Sequence, residues 1–513
     1  MTRPRSAILV ETLLLVFATS VPAKAEEATV AHAPPEATSD AQAAPPEAPQ
    51  DGGGVAQVAA PGMAADSPTP AAASLESHAL ETRWRTSLYG IAELDGMHDT
   101  TQSYGPASNN TVLARPGRPD NYAWRHGRTQ FTVNNSLFGL RVAAPEAHHI
   151  KTTGQVEVDF FGVQPTDATE ATAFTTPSIR LRLFYLKLET PVVDVLAGQY
   201  HDLFGWGGAG FYQNSVAFLG VGGEIYHRNP QIRFSRTFTG AAVSVDIAAA
   251  AVRPVQRDSE MPDVEAGIKL SAGAWRGASA QGFGQPGIQP LAIGISGVGR
   301  RFAVAEFLTA PGAPRVAYGW GLAANVFLPV IPARELADKS NALSITGEAS
   351  MGTGISDLYT GLTGGALFPI LPDPSGVITP PPIYRPNIDS GIVTYDANSN
   401  LKTIDWRSLV VGLQYYLPID GGRIWVSATA SRVESKNILQ LTPEGGRGGI
   451  FTRQDYLDGN LFIMLTPAAE VGFSYQVTQQ TFGDLPFATS STSAAEHPKQ
   501  RNQRAELALR MFF

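Results

Sequence analysis

The chain reads as an all-β protein, a transmembrane antiparallel β-barrel of about 16 strands, carrying a disordered N-terminal periplasmic tail. Three observations predict this. Sixteen segments of roughly ten residues alternate in polarity, the weak signature of a barrel strand. The connections between them alternate short and long. The last segment, Gln503–Phe513, has one apolar face and ends the chain on an aromatic residue. Successive strand side chains point to opposite faces. Ala505, Leu507, Leu509, Met511 and Phe513 form one set; Arg504, Glu506, Ala508, Arg510 and Phe512 form the other. An edge strand of a soluble sheet predicts the same alternation, so the front of the chain and its closing strand must decide.

At the front, Arg3 and Arg5 precede an apolar run from Ala7 to Val21, and Ala23-Lys24-Ala25 fits a small-residue cleavage site. This is the layout of a secretory signal peptide over residues 1–25. A membrane anchor fits less well, because the run is short and carries Glu11. Removing it takes away Arg3, Arg5, Lys24 and Glu11 and moves the formal net charge from -8 to -10. Residues 26–83 are rich in Ala, Pro, Glu, Gln and Gly, with almost no aromatics. Such a segment buries too little apolar surface to offset its ordering entropy, which predicts a disordered periplasmic tail.

Residues 84–513 are more than one ordinary core serves, yet no second long linker divides them. One large closed sheet explains this. The chain has no Cys, so it holds neither disulfides nor a thiolate metal site. No apolar run after the leader is long enough for a spanning helix, so backbone polar groups in a membrane must be paired across strands. The acidic balance argues against a nucleic-acid partner.

In order, the candidate strands lie near 86–97, 128–142, 151–163, 178–189, 193–201, 230–238, 241–253, 263–274, 289–300, 314–328, 341–351, 403–417, 422–433, 455–466, 468–480 and 502–513. Short turns such as Thr190-Pro191, Thr239-Gly240, Asp420-Gly421-Gly422 and Thr466-Pro467 follow even-numbered strands. Long connections, 98–127, 202–229, 352–402, 434–454 and 481–501, follow odd-numbered ones. Periplasmic turns alternating with external loops give this pattern, and an even count places both termini in the periplasm. Two turns, 275–288 and 329–340, are longer than the pattern asks. Within strands, Ile179, Leu181, Leu183 and Tyr185 share a face opposite Arg180 and Arg182. Val156, Val158 and Phe160 oppose Glu157 and Asp159, and Glu93 and Asp95 oppose Leu94.

Several constellations read better as structure than as chemistry. Gly205-Trp-Gly207-Gly-Ala-Gly210 matches the dinucleotide fingerprint in form, but no helical periodicity follows it. It reads as a flexible stretch of a long loop whose glycines let backbone pack against the wall. His148-His149 lacks companions for a metal site and reads as a solvated turn. Asp396-Ala-Asn398-Ser-Asn400 lacks the other ligands of a calcium loop, and Gly294-Ile-Ser-Gly297 lacks the spacing of a nucleophile elbow. Pro372–Pro386 reads as an external loop, since proline blocks ladder pairing. No metal, cofactor or catalytic set is expected.

The closing strand resembles that of Gram-negative outer-membrane barrels. Arg182-Leu-Phe-Tyr-Leu-Lys-Leu followed by Leu196-Ala-Gly-Gln199 is similar to the fourth and fifth strands of DcaP-like outer-membrane porins. Asn229-Pro-Gln-Ile-Arg233-Phe resembles the sixth strand and Ser136-Leu-Phe-Gly-Leu-Arg141 the second. The resemblance covers roughly residues 86–300 and the last strand. It implies a trimeric sixteen-strand channel in the outer membrane that passes small hydrophilic solutes, with a preference for anions or dicarboxylates. It also implies contact with outer-membrane lipid and the barrel assembly machinery, with Phe513 as the assembly signal. Family members often carry an N-terminal coiled coil, which this Ala/Pro tail lacks. A phosphate-selective porin, a plugged structural or adhesion barrel, and an outer-membrane barrel enzyme are the rival readings.

Arg141, Arg180, Arg182 and Arg233 fall on polar strand faces and are the candidate pore-lining residues. Charged rings in a narrow aqueous pore select ions by sign, and the planar guanidinium fork suits carboxylate or phosphate. Two roles stand open: selecting anions, or pairing with Glu93, Asp95, Glu157 and Asp159 to brace the wall.

Overall fold

The structure, a computed structural model, describes residues 83–513 apart from 105–112, 114–121, 163–177, 208–210, 212–220, 281–284, 334, 361–370, 372–375, 377, 385, 390, 443–449 and 484–498. The expected signal peptide, and the expected tail up to its last residue, lie outside the described residues.

All sixteen expected strands are present. In chain order the strands are β1 (Arg85–Asp99), β2 (Arg128–Thr132), β3 (Leu137–Ala143), β4 (Lys151–Asp159), β5 (Arg180–Glu189), β6 (Asp194–His201), β7 (Arg228–Thr239) and β8 (Val243–Val252). Then follow β9 (Asp263–Ser279), β10 (Gly287–Glu306), β11 (Ala313–Ile331), β12 (Leu343–Thr353), β13 (Val393–Tyr395), β14 (Leu401–Thr403) and β15 (Asp405–Tyr416). The last four are β16 (Ile424–Ser435), β17 (Phe451–Thr466), β18 (Ala469–Phe482) and β19 (Lys499–Phe512). β2 and β3 both pair with β1 and are two segments of one wall strand, so the 17-stranded sheet is a barrel of sixteen antiparallel strands. β19 closes it on β1, with Leu94 opposite Leu509. Closure leaves no unpaired edge. No helix among the described residues is long and apolar enough to cross a membrane.

The two faces are inverted relative to a soluble protein. Leu94, Ile232, Phe234, Ile268, Ile293, Leu409, Leu507, Leu509 and Met511 are exposed on the outside. Glu93, Glu157, Asp159, Glu265, Arg300, Asn460, Gln476, Arg504 and Arg510 are buried within. Alternation along each strand sorts them, as expected for β19 and β4.

Three features depart from expectation. In β5 the register on β4 shifts between Glu157 and Val158. The extra residue of this bulge turns both Arg182 and Leu183 inward, so Leu183 and Tyr185 leave the face of Ile179 and Leu181 and pack inside on Leu196. The long turn expected at 275–288 is shortened, because β9 runs on to Ser279 and β10 begins at Gly287. A further hairpin, β13–β14, stands within the 354–404 connection and is closed by Asp396, whose Oδ1 accepts from the amides of Asn398 and Asn400. At the short-turn end of the lumen, Trp425 stacks between Tyr416 and Phe462, 3.9 Å from the latter ring. His148 and His149 form an exposed turn, both with positive φ.

Candidate functional site

The described residues of the connection between β6 and β7, 202–207, 211 and 221–227, are fastened inside the lumen on opposite sides. The first turn of the connection is pinned to the wall. The amides of Leu203 and Phe204 donate to Glu265 Oε2 at 2.7 and 3.0 Å. The Gly205 amide donates to Ser296 Oγ at 2.8 Å, and Trp206 Nε1 to the Ile295 carbonyl at 3.0 Å. Two rings then pack against inward-facing glycines. A Cβ at Gly294 would stand 2.7 Å from Trp206, one at Gly267 3.0 Å from it, and one at Gly321 2.8 Å from Phe204. The wall itself is hollowed to receive the loop. Gly205 has φ 77°, which a side chain would strain.

The returning segment is fastened to the far side. The carbonyl of Gly223 accepts from Ser408 Oγ at 2.6 Å, and that of Gly222 accepts from Ser431 Oγ. Val221 packs on Val410 and Tyr456. Ser431 stands on β16, eight strands round the barrel from β6 where the loop began. Glu348 Oε1 accepts from the amide of Ile225 at 2.8 Å. The 354–404 connection also folds inward and pairs with the loop. Gly223 donates to Thr360, Thr360 to Glu224, and Tyr226 to Leu358, at 2.7–3.1 Å. Arg300 clamps this second segment by binding Asp357 at 2.6 and 2.7 Å and Asp263 at 2.9 Å. Buried charges are tolerable here because each is paired and hydrogen-bonded.

The expected arginines lie inside the barrel, on the β3–β7 wall. Arg180 binds Asp159 through two bonds of 2.6 and 3.0 Å. Arg182 donates to Glu157 at 2.6 Å and Asp159 at 3.1 Å, and its other end reaches Tyr226 on the returning loop at 3.4 Å. Its side chain is 1% exposed, against 32% for Arg180. Arg141 donates to Gln155 at 3.2 Å and lies over the Tyr89 ring. Tyr89 donates to Glu157 at 2.9 Å, so these three arginines belong to one network. Arg233 stands apart on β7, donating to Gln231 and the His201 carbonyl and lying 5.4 Å over Tyr200. Beneath Trp206, a recess is lined by Tyr185, Lys187, Tyr200, Arg233, Asp246 and Lys269. Glu93 serves Arg510 at 3.0 Å, and Asp95 accepts from Asn135, so neither acid is seen pairing with the four arginines.

The loop has a polar neck. His227 Nδ1 meets Asp202 Oδ2 at 3.0 Å, and Asn229 donates to the same oxygen at 2.9 Å. Burial pulls the imidazole down, but the Asp202 hydrogen bond and charge outweigh it, so His227 titrates above its ordinary value. The fingerprint-like glycines are part of this loop, with 208–210 outside the described residues, and a 3-10 turn over Phe204–Trp206 stands where the fingerprint needs a strand-to-helix turn. Sequence reasoning missed the loop's anchors, Glu265, Ser296, Glu348, Ser408 and Ser431. A signal existed in Gly267, Gly294 and Gly321, each of which leaves one inner-face position bare on three neighbouring strands. Phe513 closes the barrel, exchanging backbone bonds with Gly90 at 2.9 and 3.1 Å.

No family model and no curated protein matches this chain. Among solved structures, it is similar to the outer-membrane channel DcaP of Acinetobacter baumannii, with a TM-score of 0.55 at 14% identity, covering 84% of this chain and 97% of that one. The anion-selective porin from Comamonas acidovorans aligns with a TM-score of 0.44 at 11% identity, covering 84% of this chain and 100% of that one. At these identities the likeness is one of fold.

Proposed function

We propose that this chain is an outer-membrane porin that passes small hydrophilic solutes by passive diffusion. One observation carries the reading: a closed barrel, apolar outside and charged inside, with the described residues of the β6–β7 connection fastened to its inner wall. An apolar outer wall belongs in lipid and a wet, charged interior in a channel. The fold shared with a solved outer-membrane channel supports it. The long-loop end then faces outward, and both termini lie in the periplasm. A homotrimer and delivery by the barrel assembly machinery, with Phe513 as the signal, complete the proposal.

Selectivity divides among the arginines. Arg180 and Arg182 brace the wall and the returning loop. Arg233 and Arg141, part-exposed on the inner wall, supply the positive field that favours anions, dicarboxylates among them. The test is single-channel recording of the folded protein, with reversal potentials in asymmetric salt. Ohmic conductance with an anion-shifted reversal potential is expected; a heat-modifiable barrel without conductance overturns it. That second outcome favours a plugged structural barrel. The apolar cluster that Tyr104, Leu113, Leu358, Trp406 and Ile438 build within the mouth gives that rival its support.

A further inference from the structure

The outer wall carries a charged patch that conduction does not use. Across β15 to β19, the outward-facing residues nearest the long loops form two register rows. One runs Arg407, Glu434, Arg453, Thr481, Lys499. The next runs Leu409, Arg432, Asp455, Gln479, Arg501. Five cations therefore share these rows with two carboxylates. Asp405 and Lys436 lie just beyond and offset one another. Below them the same face turns apolar, with Leu457, Tyr475, Leu507 and Leu509 exposed. The rows thus mark the level where hydrocarbon gives way to headgroups.

The cations are held in place and partly open. Arg432 binds Asp455 at 2.6 Å and Arg453 binds the same carboxylate at 2.7 Å, while Arg407 is paired with Glu434. Their side chains remain 53%, 38% and 54% exposed, so each guanidinium keeps donors for another acceptor. Arg407, Arg432 and Lys436, together with Asp405, Glu434 and Asp455, also border an outer-face groove of about 1120 Å³. Its apolar walls come from Trp320, Leu322, Met351 and Leu409, and the small Ala430 leaves its floor low. The net positive rows, which Arg453, Lys499 and Arg501 complete, over an apolar trough complement a molecule with phosphate at its head and acyl chains below.

We propose that this patch binds a phosphorylated, acylated lipid of the outer leaflet. Its phosphates sit on the forks of Arg407, Arg432 and Arg453, and an acyl chain lies in the groove. Arg favours such a headgroup because its planar donors meet two phosphate oxygens at once. The screened surface position is offset by the number of cations acting together. The proposal rests on the outer-membrane reading, so conductance and heat-modifiable mobility are measured on the same preparations.

The probe is bis-phosphorylated lipid A added in detergent, compared with dephosphorylated lipid A of the same acylation, with bound lipid counted by native mass spectrometry. Wild type should favour the phosphorylated form by roughly tenfold, which is about 1.4 kcal/mol. Arg407→Ser/Arg432→Ser/Arg453→Ser should erase that preference while the barrel stays folded and conducting. Arg236→Ser, at the short-turn end where the residue donates to the Thr190 carbonyl, should leave it intact. Equal binding of both lipids by wild type overturns the proposal, as does undiminished preference in the triple variant. A triple variant that dissociates with lipid binding unchanged also overturns it, and makes the patch an interface between copies.

Discussion

Arg182 shows how a residue's role is set by its neighbours. Its charge is buried, yet Glu157, Asp159 and Tyr226 together satisfy it. Removing one side of such a buried pair costs about 3–5 kcal/mol, because the carboxylates are stranded. Arg180→Ser/Arg182→Ser should therefore lower the unfolding temperature of the barrel clearly, and any loss of anion preference should follow the disturbed loop. Arg233→Ser should weigh the other way: a smaller loss of heat stability than the double variant, and a permeability ratio shifted toward cations in low salt. Recording both variants separates bracing from selection. The wall glycines give a second residue-scale prediction. Gly294→Leu puts a side chain where Trp206 lies, and a Cβ alone would already be 2.7 Å from it. The loop must lift from β10, and single-channel conductance should change while barrel yield is kept. The polar character of the arginine faces was legible in the alternation of β4, β5 and β7. Glu157 and Asp159 were legible as candidate partners, but which arginines they take was not, because a bulge in β5 sets the register and no spacing rule announces a bulge.

Among the elements, the closing strand was the most legible. Its alternation alone assigned Leu509 to the outside, where it is 45% exposed opposite Leu94. Leu509→Arg should reduce insertion, since a charge facing lipid costs about 2–4 kcal/mol at mid-depth and less near either boundary. The yield of heat-modifiable barrel measures it; a normal yield would reverse the facing. The 202–227 connection was legible only as a long, glycine-rich loop. Its path depends on Glu265, Ser296, Ser408 and Ser431, which stand on strands far from it in sequence. The neck of that loop carries a pH dependence. His227 titrates above its ordinary value, so its folded-state pairing with Asp202 is fully present below about pH 6.5 and is lost as pH rises through the raised value. Amide exchange across 202–207 and 221–227 should accelerate on the alkaline side, and His227→Gln should flatten that dependence. An equal pH response in the variant would assign the effect elsewhere.

For the whole molecule, the lumen is the space the wall leaves after two connections have folded into it. Replacing 203–225 by a short flexible linker should raise conductance and weaken ion selectivity, provided the barrel still closes; an unchanged conductance would mean that this loop does not narrow the path. The sequence by itself determined the barrel, its sixteen strands, its inside and its outside. Those follow from a period of two and from turn residues, which are local properties readable over ten residues at a time. It left open the hairpin Val393–Tyr395/Leu401–Thr403, because three-residue strands carry too little pattern. Only the tertiary structure decided where the long connections go, which arginines are spent on Glu157 and Asp159, and which outward cations gather above the apolar band. Those depend on barrel closure and register, which bring Asp202 to His227 and Gly223 to Ser408. Contacts between residues so far apart along the chain exist only once the sheet has curved back on itself.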